Sequence, residues 1–326
     1  MCELLSSYSA GKGAGHYFAY RFGQPRYLVA LSLVTSIQQP QKPILDLCCG
    51  QAPITRSLLQ HANRQQVIGL DQSLWSLYVA KRWIAPEAEY VCCSVENALP
   101  FMEKVFSVVY CSDAFHYIVN KYACVQELRR ITDEGTVILT WVHNKRIRMP
   151  HDGVPLSPEG YYALFQGLPH RVVADEDILN RYLRKEGPPL ATQPETEYLN
   201  HKPLLSIVAS PRQDMFRDGG TFGTWPHAEG RLGLNPHYTF EMGEGTPGKA
   251  FLHRRFPSRA YEEDNPELKT FMPEKVEIDS GTLRDLAEGT RTPAIETLID
   301  QLIILDLPEN FRSTPHLTFS EQIAQP

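Results

Sequence analysis

Short apolar runs alternating with helix-length segments dominate residues 44–142, and this rhythm limits the fold more than any other feature. Ile44-Leu45-Asp46-Leu47-Cys48, just after Pro43, reads as a buried strand. Residues 53–60 read as a helix whose proline sits in the first turn, where a missing N–H costs nothing. Val67-Ile68-Gly69-Leu70 is the next strand, and Asp71-Gln72-Ser73 offers capping side chains for a helix running to Trp83. Glu89-Tyr90-Val91-Cys92-Cys93 and Val105-Phe106-Ser107-Val108-Val109-Tyr110-Cys111 are the third and fourth strands. A helix over 121–131 carries Val125, Leu128 and Ile131 at helical spacing. Glu134-Gly135 then turns the chain into a fifth strand, Thr136-Val137-Ile138-Leu139-Thr140-Trp141-Val142. Such units joined by short links predict an α/β, doubly wound, mostly parallel sheet covered on both faces.

The regularity stops near Asn144. Residues 1–145 are expected to form the sheet domain, with an N-terminal helical segment around 27–34. Residues 146–203 are expected to be a helical cap insertion, with helices near 158–165 and 176–184 between proline-rich stretches. Leu204-Leu205-Ser206-Ile207-Val208-Ala209 reads as a late strand within 204–210. Residues 211–326 are a C-terminal extension, rich in Gly and Pro up to about 250. Its last part, 273–311, runs strand, helix, helix, strand, an order that resembles a small winged-helix-like module.

Composition narrows the partners. The net charge of −6 lacks the basic footprint of a nucleic-acid binder. The short run His253-Arg254-Arg255-Phe256-Pro257-Ser258-Arg259 reads as a solvated face or loop. The acids Glu274, Glu277, Asp279, Asp285, Glu288, Glu296, Asp300 and Asp306 argue against DNA at the tail; dimerisation, giving a homodimer, or substrate docking suits it better. No apolar run approaches a membrane span, and Met1-Cys2-Glu3-Leu4-Leu5 has no secretory pattern. All seven cysteines precede residue 125. The adjacent pairs Cys48-Cys49 and Cys92-Cys93 suit neither disulfides nor zinc spacing. Reduced thiols in a cytoplasmic protein are expected.

Ligands of doubly wound sheets bind at the carboxyl ends of the strands, which points to the first turn, Asp46-Leu47-Cys48-Cys49-Gly50-Gln51-Ala52. Small residues at 48, 50 and 52 let a ligand approach the backbone. The second strand ends in Asp71, an acid placed to accept hydrogen bonds from both ribose hydroxyls of an adenosine. A dinucleotide needs a glycine-rich turn so that its pyrophosphate can sit on the helix N-terminus. Here one expected glycine remains and Pro53 removes a donor, so a phosphate-free adenosyl ligand fits better.

At this point residues 44–142 resemble the class I S-adenosylmethionine (SAM)-dependent methyltransferases, in particular the small-molecule branch called methyltransferase type 11, which implies a Rossmann-like sheet and SAM as cofactor. Ile44-Leu45-Asp46-Leu47-Cys48-Cys49-Gly50 resembles motif I, and Val67-Ile68-Gly69-Leu70-Asp71 resembles motif II. Asn97-Ala98-Leu99-Pro100-Phe101 resembles the segment after the adenine site. The run from Phe106 to His116 resembles motif IV, and Glu127-Leu128-Arg129-Arg130-Ile131 before Gly135 resembles the approach to the fifth strand. The resemblance implies that Asp46 and the backbone at Cys48 and Gly50 hold the methionine end. It gives Asp71 the ribose, Gln72 the adenine, and Cys111 and Ser112 the sulfonium end. Val95 stands where the family often has an acid for the adenine amino group, and Ser94 or Glu96 substitutes.

Methyl transfer from a sulfonium needs alignment and exclusion of water, and neither a metal nor a protein nucleophile is required. A hydroxyl acceptor gains from a base. His116, after the fourth strand, and His143, after the fifth, are the candidates for base or substrate contact. Tyr17 and Tyr20 from the N-terminus, and Tyr161, Tyr162 and His170 from the cap, are candidate substrate contacts. Asp113 reads as a cap for the following turn. The expected activity is O-methylation of a small-molecule acceptor, with no nucleic-acid or membrane partner. The alternatives are a peptide- or protein-modifying methyltransferase that docks through its tail, and a non-catalytic SAM-binding protein.

Overall fold

A computed structural model describes residues 20–38, 40–61, 66–149, 153–242 and 249–308. The described residues divide into two compact units, one within Leu28–Gly223 and the other combining Met1–Tyr27 with Thr224–Pro326.

The first unit is built on a seven-stranded sheet. Its strands are β1 (Ile44–Leu47), β2 (Val67–Asp71), β3 (Glu89–Cys92), β4 (Phe106–Ser112), β5 (Thr132–His143), β6 (His170–Ala174) and β7 (Leu204–Ala209). They lie in the order β3-β2-β1-β4-β5-β7-β6. The first five pair in parallel, and β7 and β6 close one edge antiparallel. This is a Rossmann-like arrangement whose strand order reverses beside β1. β1 is buried along its whole length, as a central strand covered on both faces must be. Helices on the two faces bury Leu128 and Ile131 of Lys121–Ile131 and Ile54 and Leu58 of Pro53–His61. The fully buried Tyr110 donates its hydroxyl to the Ala30 carbonyl at 2.9 Å, tying the helix Pro25–Val34 to β4.

The sequence reading and the fold differ at three places, each with a local cause. Residues 146–203, expected as an inserted helical cap, hold the helices Pro158–Leu164 and Asp175–Tyr182 but also β6 between them, which extends the main sheet. An edge strand of five residues beginning His-Arg carries too little apolar pattern to announce itself. The helix expected to reach Trp83 is α-helical over Leu74–Val79 and opens into a wider π-helical turn over Ala80–Ile84, closed by the Ala85 N–H on the Ala80 carbonyl. Finally, Gly135 marks no turn. β5 runs unbroken from Thr132, and glycine is needed because a Cβ there would stand 2.6 Å from the Ser107 carbonyl oxygen of β4. Gly135→Ala is therefore expected to push β4 and β5 apart and to destabilise the unit by about 1–3 kcal/mol, read as a lower thermal midpoint.

Residues 211–223 belong with the first unit, where Thr221 and Asp218 bridge to Glu186 and Pro189. The second unit contains a three-stranded antiparallel sheet of β9 (Tyr238–Met242), β10 (Lys249–Arg254) and β11 (Lys275–Asp279). β8 (Leu232–Leu234) pairs separately with β12 (Ile304–Asp306). The tail's helices form at Ser280–Glu288 and Pro293–Asp300. Each has a side-chain N-cap, from Asp279 and Thr292 respectively, and the first ends on Gly289 in the left-handed region, as helix C-termini favour. No helix among the described residues is long and apolar enough to cross a membrane.

Candidate functional site

The turn after β1 is shaped by three residues in the left-handed region, Cys48 (φ 57°), Gly50 (φ 54°) and Ala52 (φ 64°). Two of the three carry side chains, so the surroundings must hold them in place. Asp46, buried in β1, accepts a 2.6 Å hydrogen bond from the Thr55 hydroxyl of the next helix. Asp71, at the end of β2, receives one backbone N–H on each carboxylate oxygen: Gly50 at 2.9 Å and Ser73 at 2.8 Å. These fix the carboxylate plane at the mouth of the turn and leave each oxygen a further lone pair. Two buried polar atoms, the hydroxyl oxygen of Ser112 at the end of β4 and Nε2 of Gln51 in the turn, find no hydrogen-bond partner among the described residues. A rigid acid, an open backbone turn and unsatisfied polar atoms fit a polar, ribose-bearing ligand without phosphate.

Two of the thiols here, Cys49 and Cys111, are held in the protonated form. Burial, with Asp46 and Asp71 adding to it, pushes the Cys49 thiol well up. A hydrogen bond with Cys48, followed by burial, does the same to Cys111. Neutral thiols are poor nucleophiles, so neither of the two is placed to act as a nucleophile.

The expected adenine contacts divide. Gln72 is exposed beside Asp71, and Val95 packs partly against the core. Glu96 has a different set of partners: its carboxylate accepts the N–H groups of Val119 at 2.7 Å and Asn120 at 3.4 Å. The Ser94 hydroxyl accepts the Glu96 N–H at 3.3 Å. Ser94 and Glu96 thus brace the start of the helix Lys121–Ile131.

On the other side of the switch point, β4 and β5 end in the histidines. His116 lies in the short 3-10 turn Phe115–Tyr117 after β4, and His143 is the last residue of β5. Both are buried, and their rings stack face to face with centroids 3.8 Å apart and an interplanar angle of 10°. The two candidate histidines, read separately from the sequence, are thus brought together at the ends of neighbouring strands. Asp113 does not cap the turn as expected. The N-cap residue is Ala114, and Asp113 sits in the left-handed region (φ 57°) with its N–H on the Thr140 carbonyl of β5.

Three residues that the sequence reading assigned no such role anchor the pair. The Lys121 ammonium, pushed down to about 8 by burial, donates to the carbonyls of His116 (3.2 Å), Ile118 (2.6 Å) and Val154 (2.7 Å). A lysine in a helix's first turn opposes the dipole, which was the available hint that it serves something else. Tyr161, expected to line a substrate pocket, is instead fully buried and donates its hydroxyl to the His143 carbonyl at 2.8 Å. Asn144 secures the next turn through the Leu199 and Lys202 carbonyls.

The other proposed substrate contacts lie elsewhere. His170 opens β6 opposite Ala209 of β7, which pairs with Val137 of β5. That is six residues before His143, or about 20 Å along the sheet. Its ring packs on Tyr162 with centroids 4.3 Å apart, and Tyr162 in turn packs against the main core. Their assignment followed from treating 146–203 as a cap. Tyr20 belongs to the second unit, where its ring meets His237 edge-on at 4.7 Å. Tyr17 lies outside the described residues.

Residues 44–135 match the family model described as a methyltransferase domain. No curated protein matches the chain. Solved structures it resembles include the plantazolicin methyltransferase BpumL in complex with SAH (12% identity, 65% of this chain and 95% of that one, TM-score 0.45). Others are a TehB-like SAM-dependent methyltransferase from Corynebacterium glutamicum (15%, 56% and 88%, TM-score 0.40) and a SAM-dependent methyltransferase from Aquifex aeolicus (12%, 65% and 99%, TM-score 0.42).

Proposed function

We propose that this chain, whose residues 44–135 match a methyltransferase domain, is a class I SAM-dependent methyltransferase that methylates a small-molecule acceptor at oxygen. In this reading Asp71 accepts the ribose hydroxyls. Asp46 and the backbone at Cys48 and Gly50 hold the methionine end. Gln72, Ser94 and Val95 border the adenine, and Cys111 and Ser112 face the sulfonium end. SAM, when bound, supplies an electrophilic methyl group on a positively charged sulfur.

The observation that carries the acceptor assignment is the buried His116–His143 stack at the carboxyl ends of β4 and β5. A hydroxyl must lose its proton as it attacks, whereas a free amine or a carboxylate needs little help. A rim equipped with two imidazoles therefore favours oxygen. Lys121 and Tyr161, by gripping the two histidine carbonyls, keep both rings on that rim.

The test is a panel of hydroxyl, amine and carboxylate acceptors, with release of the demethylated cofactor as the readout. Hydroxyl acceptors are expected to turn over. His116→Ala is expected to lower kcat by about tenfold or more, with SAM affinity unchanged by calorimetry. Turnover confined to amines, or an unchanged kcat in the variant, would refute the assignment.

A further inference from the structure

We propose that Asp113, His116 and His143 bind one divalent transition-metal ion of the zinc type, which holds and activates the acceptor oxygen. The proposal rests on the methyltransferase reading above and refines the part its two histidines play. One donor atom from each of the three side chains lies within 4.8 Å of the other two. Ligands about 2.1 Å from a tetrahedral ion stand about 3.4 Å apart, so the atoms need to draw in by at most about 1.4 Å. Rotation about side-chain bonds covers that distance.

The donor set selects the ion. Two imidazoles and one carboxylate suit zinc and its first-row neighbours, whereas magnesium and calcium take oxygen donors. Three protein ligands leave a fourth tetrahedral position open, as in catalytic rather than structural zinc sites. The two imidazoles are in contact and nearly parallel, so sharing one ion requires a ring to turn until both nitrogens face it, and Asp113, the least buried of the three, adds a negative charge.

The backbone around the cluster is held in costly conformations. Asp113 (φ 57°) and Trp141 (φ 58°) are both non-glycine residues in the left-handed region. Trp141 lies where the β5–β7 pairing shifts register, between Leu139 and Val142. Such strain gathers at functional sites. It re-aims the ends of β4 and β5 beside each other, locked by the Asp113 N–H on the Thr140 carbonyl at 2.9 Å. Behind the ligands, the His116 carbonyl is fixed by Lys121 and by the Val154 N–H, and the His143 carbonyl by Tyr161. These contacts hold the backbone that carries both histidines.

The chemistry balances without an oxidant or a reductant. A hydroxyl on the ion's open position would lose its proton to water and keep the O–H pair, and its oxygen would form the new O–C bond as the S–C bond to the methyl group breaks, that pair staying on sulfur and SAH leaving. The imidazoles then act as ligands, and the acidity of the hydroxyl comes from the ion.

The experiment uses the tag-free full chain, dialysed against a chelator and titrated separately with Zn2+ and with SAH. One equivalent of zinc is expected to bind with Kd below about 1 µM. Cobalt(II) in its place is expected to give the visible absorption of a low-coordinate site. His116→Gln and His143→Gln should each weaken zinc binding at least about 100-fold, with SAH affinity and melting midpoint retained. Wild-type chain that binds SAH but takes up no stoichiometric zinc would overturn the site alone, as would zinc affinity unchanged in both variants. Wild-type chain that fails to bind SAH would instead overturn the methyltransferase reading. Should a variant misfold, the wild-type cobalt spectrum decides, because a six-coordinate, aquo-like spectrum rules the site out.

Discussion

Asp71→Ala is expected to bind SAM and SAH at least about 100-fold more weakly than the native chain. The acid sits at the end of β2, where the parallel sheet opens, and its carboxylate is held by the N–H groups of Gly50 and Ser73. Hydrogen bonds to a charged group contribute about 1.5–3 kcal/mol each, and tenfold in affinity corresponds to about 1.4 kcal/mol. Losing two ribose contacts therefore removes about two decades or more. The fold should survive, since the same substitution frees two N–H groups near a solvent-facing mouth rather than in the core. Asp71→Asn keeps one acceptor oxygen and is expected to fall between the two, about tenfold weaker. Calorimetry with SAH, beside a thermal melt, checks all three chains. Native affinity in the alanine variant would remove Asp71 from the ribose site and with it the assigned binding mode.

The legibility of that site in sequence has a simple cause. β1, β2, β4 and the helix Lys121–Ile131 are set by dense local patterns: apolar runs, an acid at a strand end, a proline at a helix start. Local patterns also fixed where Asp46, Gly50, Asp71, His116 and His143 fall relative to strand ends. What escaped depends on contacts between distant segments. Glu96 pairs with backbone at 119 and 120, Lys121 with a carbonyl at 154, and Tyr161 with one at 143. No spacing rule connects such positions. β6 escaped because an edge strand needs apolar side chains on one face only, and its first two residues supply none. Trp141 and Asp113 escaped for a further reason. Left-handed backbone at residues with side chains is imposed by the surrounding sheet, not preferred by the residues themselves.

The second unit should lose about 4–5 kcal/mol of stability as pH falls from about 6.5 to about 3, through His237 alone. This histidine is fully buried, and burial, with Arg254 adding to it, pushes it down to about 3. The surrounding hydrogen bonds suit the neutral ring. Gln24 Nε2 donates to the Tyr261 hydroxyl at 2.8 Å, and that hydroxyl lies 3.1 Å from His237 Nε2. On the other side His237 Nδ1 lies 2.9 Å from Asn235 Oδ1, and Asn235 Nδ2 donates to the Leu302 carbonyl at 2.7 Å. A proton on Nδ1 and none on Nε2 satisfies this chain throughout. In the unfolded chain the ring titrates near 6.5. Between that value and about 3 the unfolded state binds the extra proton, so stability rises with pH across this window and is complete above it. The full span is about 3.5 pH units at about 1.4 kcal/mol each, a large part of the 5–15 kcal/mol typical of a domain. His237→Gln can keep one donor and one acceptor but does not titrate. Denaturant unfolding at pH 4 and pH 7 should show the native chain losing about 3–4 kcal/mol more than this variant. Equal losses in the two chains would mean that His237 is solvated or charge-paired when folded, and the buried relay from Gln24 to Leu302 would have to be abandoned.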